Sequence, residues 1–381
     1  MLINDLSELQ DAISWNTRKT PVTCINVIQE THDVKTFQFH ADEPQLFHFK
    51  PGQFIGLNLE IEGVKHNRSY TIASSPTRPH ILEITIKKEK GGAVSPWLHE
   101  NIKLGSKLEF RGPAGRFNNL DASSEKVLLI SAGSGITPMM SMSRFWTDSQ
   151  PSKDIIFLNW VRSVEDIIFR REIALLDARN EHFKPEIVCT QLGLSENWLG
   201  KRGRINQTSL ADMVSDLQDR TVYCCGPEGF MESVKSCLQG LGFDMANYHD
   251  ESFDPGGKKK KAKLEKETAK TNDKAEVSAQ QPETTESADE RVFPPIYKLK
   301  LKKSNLELDV KPKDILLEVL EAANVDIGSS CRGGNCGACH VVKLSGETHT
   351  QTEDGLTEEY RQQGRILTCT TKLLSDVELD I

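Results

Sequence analysis

The chain has 381 residues, enough for two or three domains each with its own core. Its net charge of −8 and pI near 5.8 argue against the clustered basic surface that nucleic-acid binding requires. No stretch approaches about eighteen consecutive apolar residues, so no membrane span is expected.

Residues 1–20 are acidic and lack the apolar core of a signal peptide, so they read as an N-terminal extension of a cytoplasmic protein. Over 21–122, strand-like runs at 21–31, 34–41, 52–61, 68–74, 80–89 and 106–115 are separated by turn residues. Six short strands at this spacing predict a small antiparallel β-barrel. Its fourth run holds Arg68, Ser69, Tyr70 and Thr71. Arg68 offers a fork for a phosphate, Tyr70 an aromatic platform and Thr71 a hydroxyl. An ordinary strand with a surface arginine is the alternative. The stretch Gly91–Leu98, with Gly92, Val94 and Ser95, follows as a glycine-rich turn.

From 123 to 254 the pattern changes. Apolar strand candidates at 126–133, 154–161, 185–192 and 221–226 alternate with helical stretches at 138–146 and 166–179. Such alternation predicts an α/β domain with a parallel sheet. The first strand runs into Gly133-Ser134-Gly135, then Thr137 and Pro138. Glycines allow close backbone approach, and proline suits a first helical turn, whose free N–H groups favour a phosphate. Pro138 fills the third glycine position of the dinucleotide fingerprint, so a purely structural turn and a nucleotide site both remain open. The last strand ends in Cys225-Gly226-Pro227. Ends of parallel strands form ligand crevices.

Residues 255–291 contain no aromatic residue and only Leu264 and Val277 as large aliphatics, against eight Lys and eight Asp plus Glu over 255–290. Such a stretch cannot bury enough apolar surface to offset chain entropy, so a disordered charged tether is expected. The remainder, 292–381, reads as a compact mixed domain with strands at 296–303, 306–310 and 376–381 and a helix at 314–324.

Nine cysteines stand at 24, 189, 224, 225, 237, 331, 336, 339 and 369. Cys331-x4-Cys336-x2-Cys339, with Cys369 after 29 further residues, has the spacing of a plant-type [2Fe–2S] site. Structural zinc or a sensor thiol cluster is the weaker alternative, since zinc more often takes two separated Cys-x2-Cys pairs.

Together these motifs resemble the ferredoxin–NADP⁺ reductase superfamily, in the branch with a C-terminal plant-type ferredoxin domain. The resemblance implies a multidomain chain: an FAD-binding β-barrel, an NAD(P)-binding α/β domain and a β-grasp ferredoxin domain. It implies Arg68, Ser69, Tyr70 and Thr71 at the flavin, and Gly92, Val94 and Ser95 at its pyrophosphate. Gly133, Gly135, Thr137 and Pro138 would carry the nicotinamide nucleotide, with Cys225, Gly226 and Pro227 beside its reactive ring. Glu251 and Phe253 match the acidic–aromatic ending of such reductases. Tyr70, Thr71, Cys225 and Glu251 are the implied catalytic set, and Cys331, Cys336, Cys339 and Cys369 the iron ligands. NADH is favoured, although Arg162 could meet the extra phosphate of NADPH. Two subfamilies look closest: reductase components of Rieske-type oxygenases acting on glycine betaine or related quaternary amines, and the NADH reductase of the hybrid-cluster protein. The expected partner is thus one of those electron-accepting proteins, with no nucleic acid and no membrane, and the reductase is expected to be a monomer. A cluster-based redox sensor is the rival class.

Overall fold

The computed structural model describes residues 19–43, 45–120, 124–191, 198–253, 296–325, 327–329, 332–334 and 336–381. They belong to two units, Met1–Asp254 and Pro255–Ile381. Residues 1–18 of the N-terminal extension, the tether expected over 255–291 and Cys331 lie outside the described residues.

The first unit opens with β1 (Thr20–Thr31), β2 (Val34–Ala41), β3 (Phe54–Ile61), β4 (Val64–Thr71), β5 (Leu82–Lys87) and β6 (Lys107–Ala114). They form an antiparallel sheet in the order β4-β3-β6-β1-β2-β5. A bridge between Ile72 and Ile84 joins the end of β4 to β5 and closes the barrel. Val22, Phe37, Phe39, Ile55, Leu57 and Phe110 fill its interior. Each such fully buried side chain contributes on the order of 2 kcal/mol. Helix α1 (Val94–Asn101) covers one end.

The second half of this unit is a sheet of β7 (Lys126–Ala132), β8 (Asp154–Val161), β9 (Phe183–Cys189), β10 (Lys201–Arg202), β11 (Thr221–Cys225) and β12 (Tyr248–Glu251), in the order β10-β9-β8-β7-β11-β12. All pairings are parallel. Helices α2 (Ile136–Ser149), α3 (Arg170–Arg179), α4 (Gln207–Met213) and α5 (Glu228–Gly240) complete it. Both faces are covered, which is why the central strands are nearly continuous apolar runs. Alternate residues divide between two cores. Val127, Leu129 and Cys225 join one with Met139, Met140 and the barrel's Phe117, while Leu128, Ile130 and Cys224 join the other with Val234 and Leu238.

The expected helix over 166–179 starts later, at Arg170. Phe169 sits at φ 57°, a left-handed conformation that breaks the helix. Its N–H donates to Glu30 at 3.2 Å, and its ring lies 5.1 Å beneath the Arg144 guanidinium. These two contacts hold the break. At the N-terminal edge of the sheet, Arg220 is buried and grips Asp216 at 2.7 Å and Asp154 at 3.1 Å.

The second unit has β13 (Tyr297–Leu301), β14 (Leu306–Val310), α6 (Leu316–Ala322), β15 (His340–Ser345), β16 (Thr348–Thr350), α7 (Glu358–Gln362), β17 (Arg365–Leu367), β18 (Thr371–Leu373) and β19 (Val377–Leu379). The main sheet runs β14-β13-β19-β15-β17, with β13 and β19 parallel and the other pairs antiparallel. Leu316 and Leu320 of α6 pack on Leu299, Leu301, Val341 and Leu379. One helix grasped by such a mixed sheet is the β-grasp arrangement. No described helix is long and apolar enough to cross a membrane.

Candidate active site and cluster site

The first cluster of polar groups lies on β4. Its register pairs Arg68 with Leu57 and Tyr70 with Ile55, and alternation puts Arg68 and Tyr70 on one face. Arg68 and Ser69 are exposed, Tyr70 is half-buried and Thr71 is buried. Burial raises the Tyr70 phenol above its ordinary range, although Arg68 pulls the other way, so Tyr70 stays neutral. Gly92, Val94 and Ser95 stand at the start of α1, which the sequence suggested only as a turn. Pro96 in the first turn was the available signal, since no intrahelical bond is lost there. Ser95 Oγ accepts the Glu89 N–H at 3.0 Å, tying the glycine turn to the helix. Ala93 gives α1 no side-chain cap, so first-turn N–H groups are available to an anion. These features suit a flavin with its pyrophosphate.

The second cluster sits where strand order reverses. From β7 the sheet proceeds to β8 on one side and to β11 on the other, and such a switch point opens a crevice at the strands' C-terminal ends. Gly133–Gly135 form one tight turn after β7, and α2 begins at Ile136 with Thr137 and Pro138 in its first turn. Gly133 has φ 55° with open space where a side chain would be. At Gly135, a Cβ would lie 2.3 Å from the Cys225 carbonyl oxygen. The turn and the end of β11 are therefore in direct backbone contact. Thr137 Oγ1 donates to the Ser134 carbonyl at 3.0 Å and firms the turn. Neither α2 nor α5 has a side-chain N-cap bond. Two helix starts thus leave N–H groups beside one crevice, as a dinucleotide needs.

Cys225 and Gly226 are buried, and Pro227 is exposed where α5 begins. Burial drives the Cys225 thiol well above its ordinary range, and the neighbouring Glu251, Cys224 and Asp250 push the same way. Cys224, on the opposite face, is pushed up to about 12 by burial. Both are thiols at neutral pH. Glu251 ends β12, a strand too short and polar to stand out in sequence, and Phe253 lies just beyond it, 44% exposed. Arg162 is exposed after β8, and the Ser163 hydroxyl is taken up by Asp166 at 2.9 Å.

Sequence reasoning missed the residues joining these two clusters. Ser141 Oγ, in α2, donates to the Ser74 carbonyl at 2.7 Å. Arg144, one turn later, donates to the Ala73 carbonyl at 2.6 Å. Both acceptors follow directly on the Arg68–Thr71 strand.

In the second unit, Cys336 is half-buried and Cys339 and Cys369 are buried. The Ala338 N–H points at Cys336 Sγ from 3.4 Å. Thr368, the residue before Cys369, donates from both N–H and Oγ1 to the Cys339 carbonyl, at 3.2 and 3.1 Å. That pair of hydrogen bonds fixes the third cysteine against the residue before the fourth. Gly334 and Gly337 have φ of 81° and 74°, and a Cβ on Gly337 would lie 2.5 Å from the Gly355 carbonyl oxygen. The described part of the loop packs closely on Thr352 and Gly355, sets Cys339 and Cys369 in one cluster and aims an N–H at sulfur, which suits a [2Fe–2S] cluster. No disulfide forms among the described cysteines. Glu358 and Glu359 open α7, and Arg361 reaches Glu353 at 3.7 Å and Glu358 at 3.5 Å.

Three family models match in this same order. They are the oxidoreductase FAD-binding domain over residues 21–119, the oxidoreductase NAD-binding domain over 129–236 and the 2Fe-2S iron-sulfur cluster binding domain over 299–374. The glycine betaine monooxygenase reductase subunit of Pseudomonas aeruginosa is 39% identical over 96% of both chains.

The chain belongs to the FAD- and NAD-binding iron–sulfur reductases.

The stachydrine N-demethylase reductase subunit Stc4 of Rhizobium meliloti is 34% identical over 98% of this reductase and all of that protein. The NADH oxidoreductase HCR of Escherichia coli is 27% identical over 93% of this chain and 95% of its own. The reductase carries electrons from NADH through FAD to a [2Fe–2S] centre.

Proposed function

We propose that the reductase supplies electrons to the oxygenase component of a Rieske-type monooxygenase acting on glycine betaine or a similar quaternary amine. The observation carrying this reading is the 39% identity over 96% of both chains with a glycine betaine monooxygenase reductase subunit. The weaker 27% identity to NADH oxidoreductase HCR supports the hybrid-cluster alternative less. The protein is read as cytoplasmic and monomeric.

When bound, the cofactors supply the conversion of a two-electron hydride into single electrons. The protein's part is to bind, align and exclude water. Arg68 and the uncapped start of α1, with Gly92, Val94 and Ser95, would hold the flavin pyrophosphate. Tyr70 offers a flat neutral face and Thr71 a buried hydroxyl to the ring system. Gly133, Gly135, Thr137 and Pro138 would bear the nucleotide phosphates. Cys225, with Gly226 and Pro227, would line the nicotinamide position together with Glu251 and Phe253. Cys331, Cys336, Cys339 and Cys369 would ligate iron as thiolates.

The test mixes reductase, NADH and the purified oxygenase subunit of the Pseudomonas aeruginosa system, then follows oxygen uptake. Uptake that requires glycine betaine and yields formaldehyde supports the reading. Absence of uptake with rapid reduction of hybrid-cluster protein would refute it in favour of the alternative.

A further inference from the structure

Helix α2 has two attachments. Its N-terminus carries the Gly133–Gly135 turn, and its second and third turns are bound to the barrel just past the flavin strand. Ser141 is fully buried, and its hydroxyl meets the Ser74 carbonyl at 2.7 Å. Arg144 is 5% exposed and uses every arm of its guanidinium. Nη1 donates to the Ala73 carbonyl at 2.6 Å and to Glu83 of β5 at 2.7 Å. Nε and Nη2 form a bidentate pair with Glu172 of α3, at 2.7 and 2.5 Å. Glu83 in turn receives Gln38 at 2.6 Å, while its backbone N–H donates to Ser74 Oγ at 3.1 Å. Burial works against the Arg144 charge, yet Glu172 and Glu83 outweigh it and raise the guanidinium above its ordinary range.

A buried guanidinium held by two carboxylates and a carbonyl from different parts of the molecule has no freedom to slide. An apolar contact would have joined barrel and sheet equally well. A bidentate pair adds a fixed direction. The distance so fixed is the one between the nucleotide turn and the flavin strand, because Thr71 is two residues before Ala73.

We propose that Ser141 and Arg144 are positioning residues for hydride transfer: they set the spacing between nicotinamide and flavin by clamping α2 to Ala73 and Ser74, without touching either cofactor. This rests on the assignment of Gly133–Gly135 and Arg68–Thr71 above. A displacement near 1 Å at reacting atoms can cost on the order of a hundredfold in rate.

The test uses the FAD- and cluster-loaded protein and the variants Ser141→Ala, Arg144→Lys and Arg144→Gln. Four quantities are read: FAD per chain, the Kd for NAD⁺, the limiting rate of flavin reduction by NADH, and hydrogen exchange at the Ala73 and Ser75 amides. Ser141→Ala deletes one hydroxyl and leaves the ion network whole, so it keeps the experiment informative if Arg144→Gln does not fold. FAD content and Kd are expected within about twofold of the parent. The limiting rate is expected to fall about threefold in Ser141→Ala and about tenfold in Arg144→Gln, with Arg144→Lys between them. The deuterium isotope effect from 4-deuterated NADH should become steeper with temperature, and the two amides should exchange faster. Unchanged limiting rates in both Ser141→Ala and Arg144→Lys would overturn the proposal. So would a loss of FAD or NAD⁺ binding as large as the loss of rate, because the residues would then build the sites rather than space them. If instead Arg68→Ala and Gly135→Ala kept full FAD and NAD⁺ binding, the underlying site assignment would fail, separately from the clamp.

Discussion

Cys225 and Glu251 are register partners across parallel strands β11 and β12, and each is the last residue of its strand. The pairing sets a thiol and a carboxylate on one face of the sheet at the crevice. Burial, and then the Glu251 charge, keep Cys225 protonated. Native Cys225 is therefore expected to react with iodoacetamide at pH 8 at least about tenfold more slowly than in urea, since the thiolate is the nucleophile. Peptide mass mapping reads this directly. Equal rates in the two conditions would contradict the burial and protonation described for it. Cys225→Ala should slow flavin reduction by about tenfold, or ~1.4 kcal/mol of barrier, with FAD content retained.

The two glycines of the nucleotide turn should respond very differently to alanine. Gly133 is left-handed but faces open space, so Gly133→Ala should cost about 1 kcal/mol of stability. Gly135→Ala must displace the Cys225–Gly226 peptide, 2.3 to 2.7 Å away, and should cost on the order of 3 kcal/mol while raising the KM for NADH. Urea midpoints of the two variants decide the matter. Similar midpoints would mean the turn and strand end are not in contact.

Acid should weaken the sheet from its lower edge. Arg220 first, and Lys126 with it, lower the Asp216 carboxyl from 3.8 to about 2, against the opposing effect of its partial burial. A carboxyl lowered on folding stabilises above its unfolded value, and that stability disappears as pH falls through the folded value. The stabilisation is thus complete above about pH 4 and gone near pH 2, on the order of 1 kcal/mol once solvent screening is allowed for. Thermal midpoints of the parent and Asp216→Asn should differ at pH 7 and converge at low pH.

Removing a cluster ligand should separate the two electron acceptors. Cys339→Ser or Cys369→Ser should abolish the [2Fe–2S] visible bands and lower cytochrome c reduction by about tenfold or more. Ferricyanide reduction by NADH, which the flavin half supports, should stay within about twofold. Chelation of iron from the parent should reproduce that split. Loss of both activities together would argue against separate cofactor sites in the two halves.

Much of this was legible in the residues. The barrel strands and four strands of the parallel sheet, β7, β8, β9 and β11, followed from apolar periodicity, and β2, β8 and β14 begin and end where that pattern does. The cysteine spacing pointed to the iron site because thiolate number and loop length are covalent facts. What stayed hidden was set by long-range contact. The break at Phe169 depends on Glu30, which is 139 residues earlier in the chain. β12 is four polar residues whose strand character comes from pairing with β11. Arg144 is a single charge within the apolar run at 138–146, and only the arrival of Ala73, Glu83 and Glu172 gives it partners.

The absence of room at Gly135 also limits how such a module can be exchanged. Residues 133–135 and 225–226, ninety positions apart, behave as one lining with no slack between its halves. A chimera that imports only one of the two segments from a relative should assemble poorly. Importing both together should restore it, so this crevice is exchangeable only as a pair.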